Sequence, residues 1–221
     1  DRKIAWGTKN IAEGPAMTRL EAIRSIETGI EIADEKAREG YRVFTIGEMG
    51  ISNTTSSACI LGAFNHWNAI EVTGRGTNIS DERLRHKIDV VQRAMDVNHP
   101  DPNDGLDVLS KVGGFEYGCM TGVILGAAAN HALTIIDGFN TTASAFIAKA
   151  LCPEVVHYLM ASHLSLEQAH KKSLAALGLT EYIDLDFRLG EAIGAGIQTR
   201  MLDYALSVYR ECAAKDEEVK A

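Results

Sequence analysis

Residues 45–57 read TIGEMGISNTTSS. The run that leads into them, Tyr41–Ile46, is rich in β-branched and aromatic residues and has the composition of a strand. The run that follows, Ala58–Phe64, reads as a helix. Between the two, Gly47 and Gly50 interrupt the pattern, a lone Glu48 enters, and Asn53 or Thr54 offers a helix cap. A strand that hands over to a helix through such a loop places the loop at the carboxyl end of a parallel strand, where α/β proteins bind ligands.

The same alternation extends outward in both directions. Thr18-x-x-Glu21 has the form of a capping box, and the amphipathic run after it closes at Gly40. After the helix at about 54–65, a short strand is expected over Ala69–Thr73, then GRGTN and a polar helix over about 81–96. HPDPNDG (99–105) is a loop. Helices are expected at 105–112 and 116–130, then a strand at 132–136, the loop DGFN and a helix to about Leu151. An apolar run, 154–160, ends at Ser162-His163. Ser165-x-x-Gln168 is expected to cap the next helix, Leu185–Leu189 to form a last strand, and Glu191 to open a helix to about Ala213. Strand–loop–helix repetition implies an α/β fold: a three-layer α/β/α Rossmann-like parallel sheet, with additional helices forming a small subdomain. One domain is expected over 1–221, with a frayed tail at 214–221.

The composition excludes several classes. Of 221 residues, 46% are hydrophobic and 24% charged, as in ordinary globular proteins. A net charge of −8 argues against nucleic acid as the partner. No run of about 18 apolar residues is present, so no membrane span is expected. The four cysteines, Cys59, Cys119, Cys152 and Cys212, are scattered and form no C-x-x-C pair. They are expected to be reduced and mostly buried in a cytoplasmic protein. Met49, Met120 and Met160 read as core fillers.

Several apolar runs end in small or charged residues: GEMGISN, GRGTN, DGFN, ASH and RLGEAIGAG. In a parallel sheet these ends converge on one edge, where glycines admit a ligand and helix N-termini bind anions. Glu48 would repel a phosphate, so it is expected to face a hydroxyl, an N–H or a cationic ring, or simply solvent. Glu191 is either a general base in a partly dry crevice or a favourable charge at a helix N-terminus. Arg75 and Lys87 are cations beside a glycine-rich turn and suit a phosphate. Asp137 accepts ribose hydroxyls or caps the helix at 139. His163 and His170 lie seven apart and do not make a metal site.

Taken in order, GTKNIAEGPAMT (7–18), GEMGISNTT (47–55), GRGTNISDERLRHK (74–87), GGFEYGCMTG (113–122), DGFNTTASA (137–145), ASHLSLEQAH (161–170) and RLGEAIGAG (188–196) closely resemble the nicotinate-nucleotide–dimethylbenzimidazole phosphoribosyltransferases of cobalamin biosynthesis. The resemblance spans nearly all of residues 4–210. It implies a homodimeric transferase that moves phosphoribose from nicotinate mononucleotide to a lower-ligand base and releases nicotinate. The product is of the α-ribazole-phosphate type, made for cobamide biosynthesis. The acceptor stays open among benzimidazoles, purines and phenols. Glu191 matches the family's catalytic carboxylate, Glu48 its second active-site glutamate, and Lys87 its phosphate-side lysine. Gly50, Gly74, Gly76 and Gly138 match glycines that line the family's nucleotide pocket, and Ser52, Asn53, Arg75, Asp137, Ser165, Leu189 and Gly190 are further expected substrate-binding positions. No cofactor or metal is implied, because nicotinate leaves from a pyridinium.

The match departs from the family at three places. Ser52 stands for a glycine, and Ala192 and Ile193 stand for Gly-Thr after the catalytic glutamate. Members also carry an N-terminal segment with a K-P-P-G-S-L-G-R-like motif that helps build the base pocket. That motif is not among these residues, so the donor half of the site is expected here without the acceptor half. The competing reading is a non-catalytic or partner-dependent nucleotide-binding subunit of the same fold. Another Rossmann-like enzyme is disfavoured, because no G-x-G-x-x-G follows the first strand.

Overall fold

The computed structural model describes residues 1–186 and 189–218, and of 213–218 the backbone only. Thr18 and Glu21 form the capping box of α1 (Arg19–Arg38), each side chain meeting the other's backbone N–H. The strands are β1 (Val43–Ile46), β2 (Leu133–Ile136) and β3 (Leu159–Ala161), all parallel, in the order β1-β2-β3. Between β1 and β2 run α2 (Thr54–Asn65), α3 (Ala69–Val72), α4 (Asp81–Asn98), α5 (Gly105–Val112) and α6 (Phe115–Ala129). Helix α7 (Phe139–Leu151) and a 3-10 turn at Pro153–Tyr158 join β2 to β3. Helices α8 (His170–Leu177) and α9 (Ile193–Glu218) follow.

The result is a mixed α/β fold, a small parallel sheet among many helices. Register settles its functional edge: Ile46 pairs with Ile136 and Ile136 with Ala161, so the three strands stop together. Helices α6 and α7 pack on β2, while α9 touches β1 and β2. Among the described residues, no helix is long and apolar enough to cross a membrane.

Several local expectations change. Ala69–Thr73 is not a strand, because Asn68 and Glu71 form a capping box that starts the short helix α3. Its β-branched composition yields to that cap. Ser165 does not cap α8; its hydroxyl accepts the Glu167 N–H at 3.4 Å inside a turn, and the helix starts later, behind Ala169. The run 154–160 divides into the 3-10 turn and β3. Of the expected strand Leu185–Leu189, Phe187 and Arg188 lie outside the described residues, and Leu185, Asp186 and Leu189 are not in a strand. Helix α9 runs on to Glu218, within the expected tail, and 219–221 lie outside the described residues. Of the cysteines only Cys59 is buried; Cys119 is half-buried, and Cys152 and Cys212 are exposed. Cys152 follows the last residue of α7, where the chain turns outward.

Helices α1 and α6 make the most extensive contact among the described elements. A Cβ at Gly122 would collide with the Ile26 carbonyl oxygen, and one at Gly29 with the Cys119 carbonyl oxygen. The two backbones touch because neither position carries a side chain. Gly122→Ala is therefore expected to lower unfolding free energy by about 1–3 kcal/mol, overlap outweighing the gain in helix propensity. Gly196→Ala, on α9 with nothing within 4 Å of the added carbon, is expected to gain about 0.5–1 kcal/mol. Urea titrations of both variants check the contrast.

Candidate active site

The loops after β1, β2 and β3 open onto a cleft of about 1020 Å³, closed by the Arg75–Lys87 segment and by residues 189–191. Every expected site residue except Gly74 lines it. Gly74 stands behind the wall: a Cβ there would collide with Glu167 Oε2.

Glu48 follows β1 after Gly47 alone. Its Oε1 accepts from Asn140 Nδ2 at 2.7 Å, and its Oε2 accepts from Asn53 Nδ2. Asn53 occupies the N-cap position of α2 but makes no side-chain cap bond: its Oδ1, the atom that would cap, accepts from Asn140 Nδ2 at 2.9 Å, while its Nδ2 donates to Glu48. The Glu191 loop is stitched to the same place. Glu191 N–H donates to the Glu48 carbonyl at 3.2 Å. A Cβ at Gly47 would collide with Ala192, so Gly47 lets the two loops meet. Glu191 and Ala192 both sit in the left-handed region, at φ 65° and 62°. That region costs a non-glycine residue roughly 1 kcal/mol or more. The 190–192 turn is thus held against its preference by its neighbours.

The opposite wall is cationic. Lys87, on α4, donates from Nζ to Thr54 Oγ1 at 2.8 Å and to the Gly74 carbonyl at 3.1 Å. Burial lowers its pKa, and the nearby Glu167 carboxylate opposes that shift. Glu167 Oε1 accepts the Gly76 N–H at 2.6 Å, so the glycine-rich turn is built around this buried carboxylate. Lys87 stands beside the first residue of α2, where helix dipole and ammonium favour the same anion. Arg75 is committed to its own loop, donating to the Ile79 carbonyl at 2.9 Å and pairing with Asp81.

Asp137 follows β2 and is 3% exposed. It does not cap the helix at 139. Its Oδ1 accepts the Ala195 N–H at 3.0 Å, in the first turn of α9, so it ties the Glu191 segment to the sheet. Burial lifts its pKa to about 6; the backbone N–H donors of Ala195, Gly194 and Ala192 oppose this, and Glu48 adds to it. Ser165 and Gly138 are joined through His170. Ser165 N–H donates to His170 Nδ1 at 2.9 Å, which places the ring proton on Nε2, 3.1 Å from Thr142 Oγ1. Thr142 in turn donates to the Gly138 carbonyl at 2.9 Å. Burial first, and then His163, push His170 down to about 3, so the ring stays neutral.

Sequence reasoning missed Thr54, Asn140 and Glu167 as cleft residues, although each lies inside a quoted motif. Met49 is not a core filler: it is 75% exposed and lines the cleft with Ile51, Ile79 and Leu189. It sits in a loop past the sheet edge, where no helix covers it.

Asp137 links stability to pH. Its carboxyl has a higher pKa folded, about 6, than its ordinary 3.8. The folded state therefore favours the protonated form, and stability is lost as pH rises from about 4 through 6. Asp137→Asn keeps an acceptor for Ala195 and removes the ionisation. It is expected to gain on the wild type by up to about 3 kcal/mol between pH 4 and pH 7. Paired urea titrations across that range test this; a difference independent of pH refutes it.

The phosphoribosyltransferase family model matches residues 1–219. A nicotinate-nucleotide–dimethylbenzimidazole phosphoribosyltransferase of Syntrophotalea carbinolica is 50% identical over 216 residues, 98% of this chain and 61% of the relative. One of Clostridioides difficile is 46% identical over 217 residues, 98% of this chain and 62% of that protein. The chain thus spans about three fifths of the length of these relatives. The crystal structure of CobT from Thermus thermophilus superposes with a TM-score of 0.88 at 39% identity, over 93% of this chain and 61% of that one. The chain belongs to the phosphoribosyltransferase family.

Proposed function

We propose that the chain carries the nucleotide-handling site of a nicotinate-nucleotide–dimethylbenzimidazole phosphoribosyltransferase. In this reading it transfers the phosphoribosyl group of nicotinate mononucleotide to a benzimidazole-like base. One observation carries the reading: the Glu191 turn is bonded to the Glu48 backbone in the same cleft that Lys87 enters from the far wall.

The chemistry suits those residues. The bond from C1′ to the pyridinium nitrogen breaks with its electron pair going to nicotinate. A ring nitrogen of the acceptor bonds to C1′. The ribose carries positive charge in between, and a fixed carboxylate at Glu48 stabilises it. The acceptor's N–H proton goes to Glu191 as general base. The phosphate rests at Lys87 and the start of α2. Met49, Ile51, Ile79 and Leu189 offer apolar surface to a flat base, which supports benzimidazoles over smaller acceptors; purines and phenols are the other candidates. The exposed apolar side chains Ile197, Met201, Tyr204 and Val208 on α9 support assembly as a homodimer.

Incubating the chain with nicotinate mononucleotide and a panel of these bases, with mass detection of products, tests the transfer. A ribosylated base identifies the acceptor. Nucleotide binding without product favours the partner-dependent reading instead. Glu191→Gln is expected to cut turnover by about 100-fold or more with nucleotide affinity nearly unchanged, since a general base acts mainly in the transition state. Wild-type rates would remove Glu191 from the mechanism. Lys87→Ala is expected to weaken nucleotide binding by about 10- to 100-fold, the worth of a charge-assisted hydrogen bond. Calorimetry measures it; unchanged affinity would place the phosphate elsewhere.

A further inference from the structure

The two amides that hold Glu48 are themselves held from behind. Asn140 Nδ2 donates to Glu48 Oε1 and also, at 2.9 Å, to Asn53 Oδ1. Asn53 Nδ2 donates to Glu48 Oε2. A carboxylate only accepts, so both amide nitrogens must face it. An amide can turn over and present oxygen instead, and something must prevent that. Ser57 Oγ donates to Asn140 Oδ1 at 2.6 Å. Ser57 Oγ also lies 2.7 Å from the Tyr117 hydroxyl, which donates to the Asn53 backbone carbonyl at 2.8 Å. Ser57 and Tyr117 are both 0% exposed and do not line the cleft. They come from α2 and α6, while Asn140 comes from α7, so the network joins three helices behind one carboxylate.

We propose that Ser57 and Tyr117 are positioning residues for Glu48, Ser57 acting through the Asn140 side-chain amide and Tyr117 through Ser57 and the Asn53 backbone carbonyl. Neither touches substrate. Together they set the orientation of the Asn140 amide, which in turn holds Asn53 Oδ1, and hence the direction in which Glu48 presents its charge. Removing the Ser57 hydroxyl leaves Asn140 Oδ1 without its donor in a part-buried site. Turning the amide would then bring its oxygen against the Glu48 carboxylate, and the clamp would open. The catalytic part of this inference rests on the transferase reading; the geometric part does not.

The test therefore has two measurements. The first needs no activity: hydrogen exchange of the Asn140 side-chain amide in the ¹⁵N-labelled full chain, assigned by its loss in Asn140→Asp. Slow exchange is expected in the wild type. Ser57→Ala and Tyr117→Phe are expected to speed it about tenfold or more, as expected when a local hydrogen bond opens. Backbone amides of β2 should keep their protection, which separates clamp opening from unfolding, and Ser57→Thr, which keeps the hydroxyl, should restore slow exchange. Unchanged Asn140 exchange in Ser57→Ala overturns the proposal.

The second measurement is a double-mutant cycle on turnover with the base that the product assay identifies. Ser57→Ala is expected to lower kcat about tenfold or more with little change in nucleotide KM, the signature of lost orientation. In a Glu48→Gln background it should cost far less. Equal losses in both backgrounds overturn the coupling to Glu48. A wild-type chain that turns over no acceptor refutes the transferase reading alone, and the exchange measurement still decides the clamp.

Discussion

The cleft depends on the last two pairings of a very small sheet, Ile46 with Ile136 and Ile136 with Ala161. Because the ladder is parallel and in register, Gly47-Glu48, Asp137-Gly138 and Ser162-His163 leave it at the same level. Shifting one strand by a residue would turn each of its side chains to the opposite face. Buried Thr134, Ile135 and Ile136 on the central strand hold the register against such a slip. Among the described residues three strands suffice because helices bury the central one; α6 packs on α1, α7 and the sheet.

The cleft's second constraint is electrostatic. Glu48, Asp137, Glu167 and Glu191 all line it, and Lys87 is the half-buried cation placed among them in the described residues. Each carboxylate meets that crowding differently. Glu48 is matched to two amides, one per oxygen. Glu167 takes the Gly76 N–H and faces the lysine. Asp137 takes backbone N–H groups of α9, and burial shifts it towards its protonated form. Glu191 stays exposed at the rim. A site arranged this way has a ready carboxylate at the mouth and fixed ones inside, which suits a substrate that carries its own anion to Lys87.

Much of this was legible in the sequence, and the reasons are local. The Thr18 capping box, the helix over 54–65 and the strand before Gly47 follow from caps, glycines and β-branched runs, which act within a few residues. The cleft lining was legible because glycine and acidic residues at strand ends have one common use. What was not legible lay in competition between neighbours. Ala69–Val72 has a strand's composition, but the Asn68–Glu71 box wins. Asn53 has a cap's identity and place, but Asn140 claims its amide oxygen and Glu48 its amide nitrogen. Asp137 precedes α7 and holds α9, some 58 residues on. Met49 has a core residue's chemistry in a loop that nothing covers. In each case a short-range preference was real, and the surroundings in the folded chain overrode it.

Asn53 shows the logic of the whole site most directly. An asparagine at an N-cap normally stabilises its helix by about 1 kcal/mol through a bond to the N2 or N3 backbone N–H. Here that bond is not made, and α2 begins without a side-chain cap. The helix tolerates this because its next turns, Ser57 to Ala63, are buried and packed against α4 and α7. Tertiary burial thus frees a side chain that local structure would otherwise occupy. The same choice leaves the positive end of α2 beside Lys87 without a side chain across it, and gives Glu48 its second donor. A single unmade cap bond therefore serves both halves of the cleft, the anion-binding wall and the fixed carboxylate. This is why the loop after β1 places Glu48 and Asn53 five residues apart, with small residues at Gly50 and Ser52 between them.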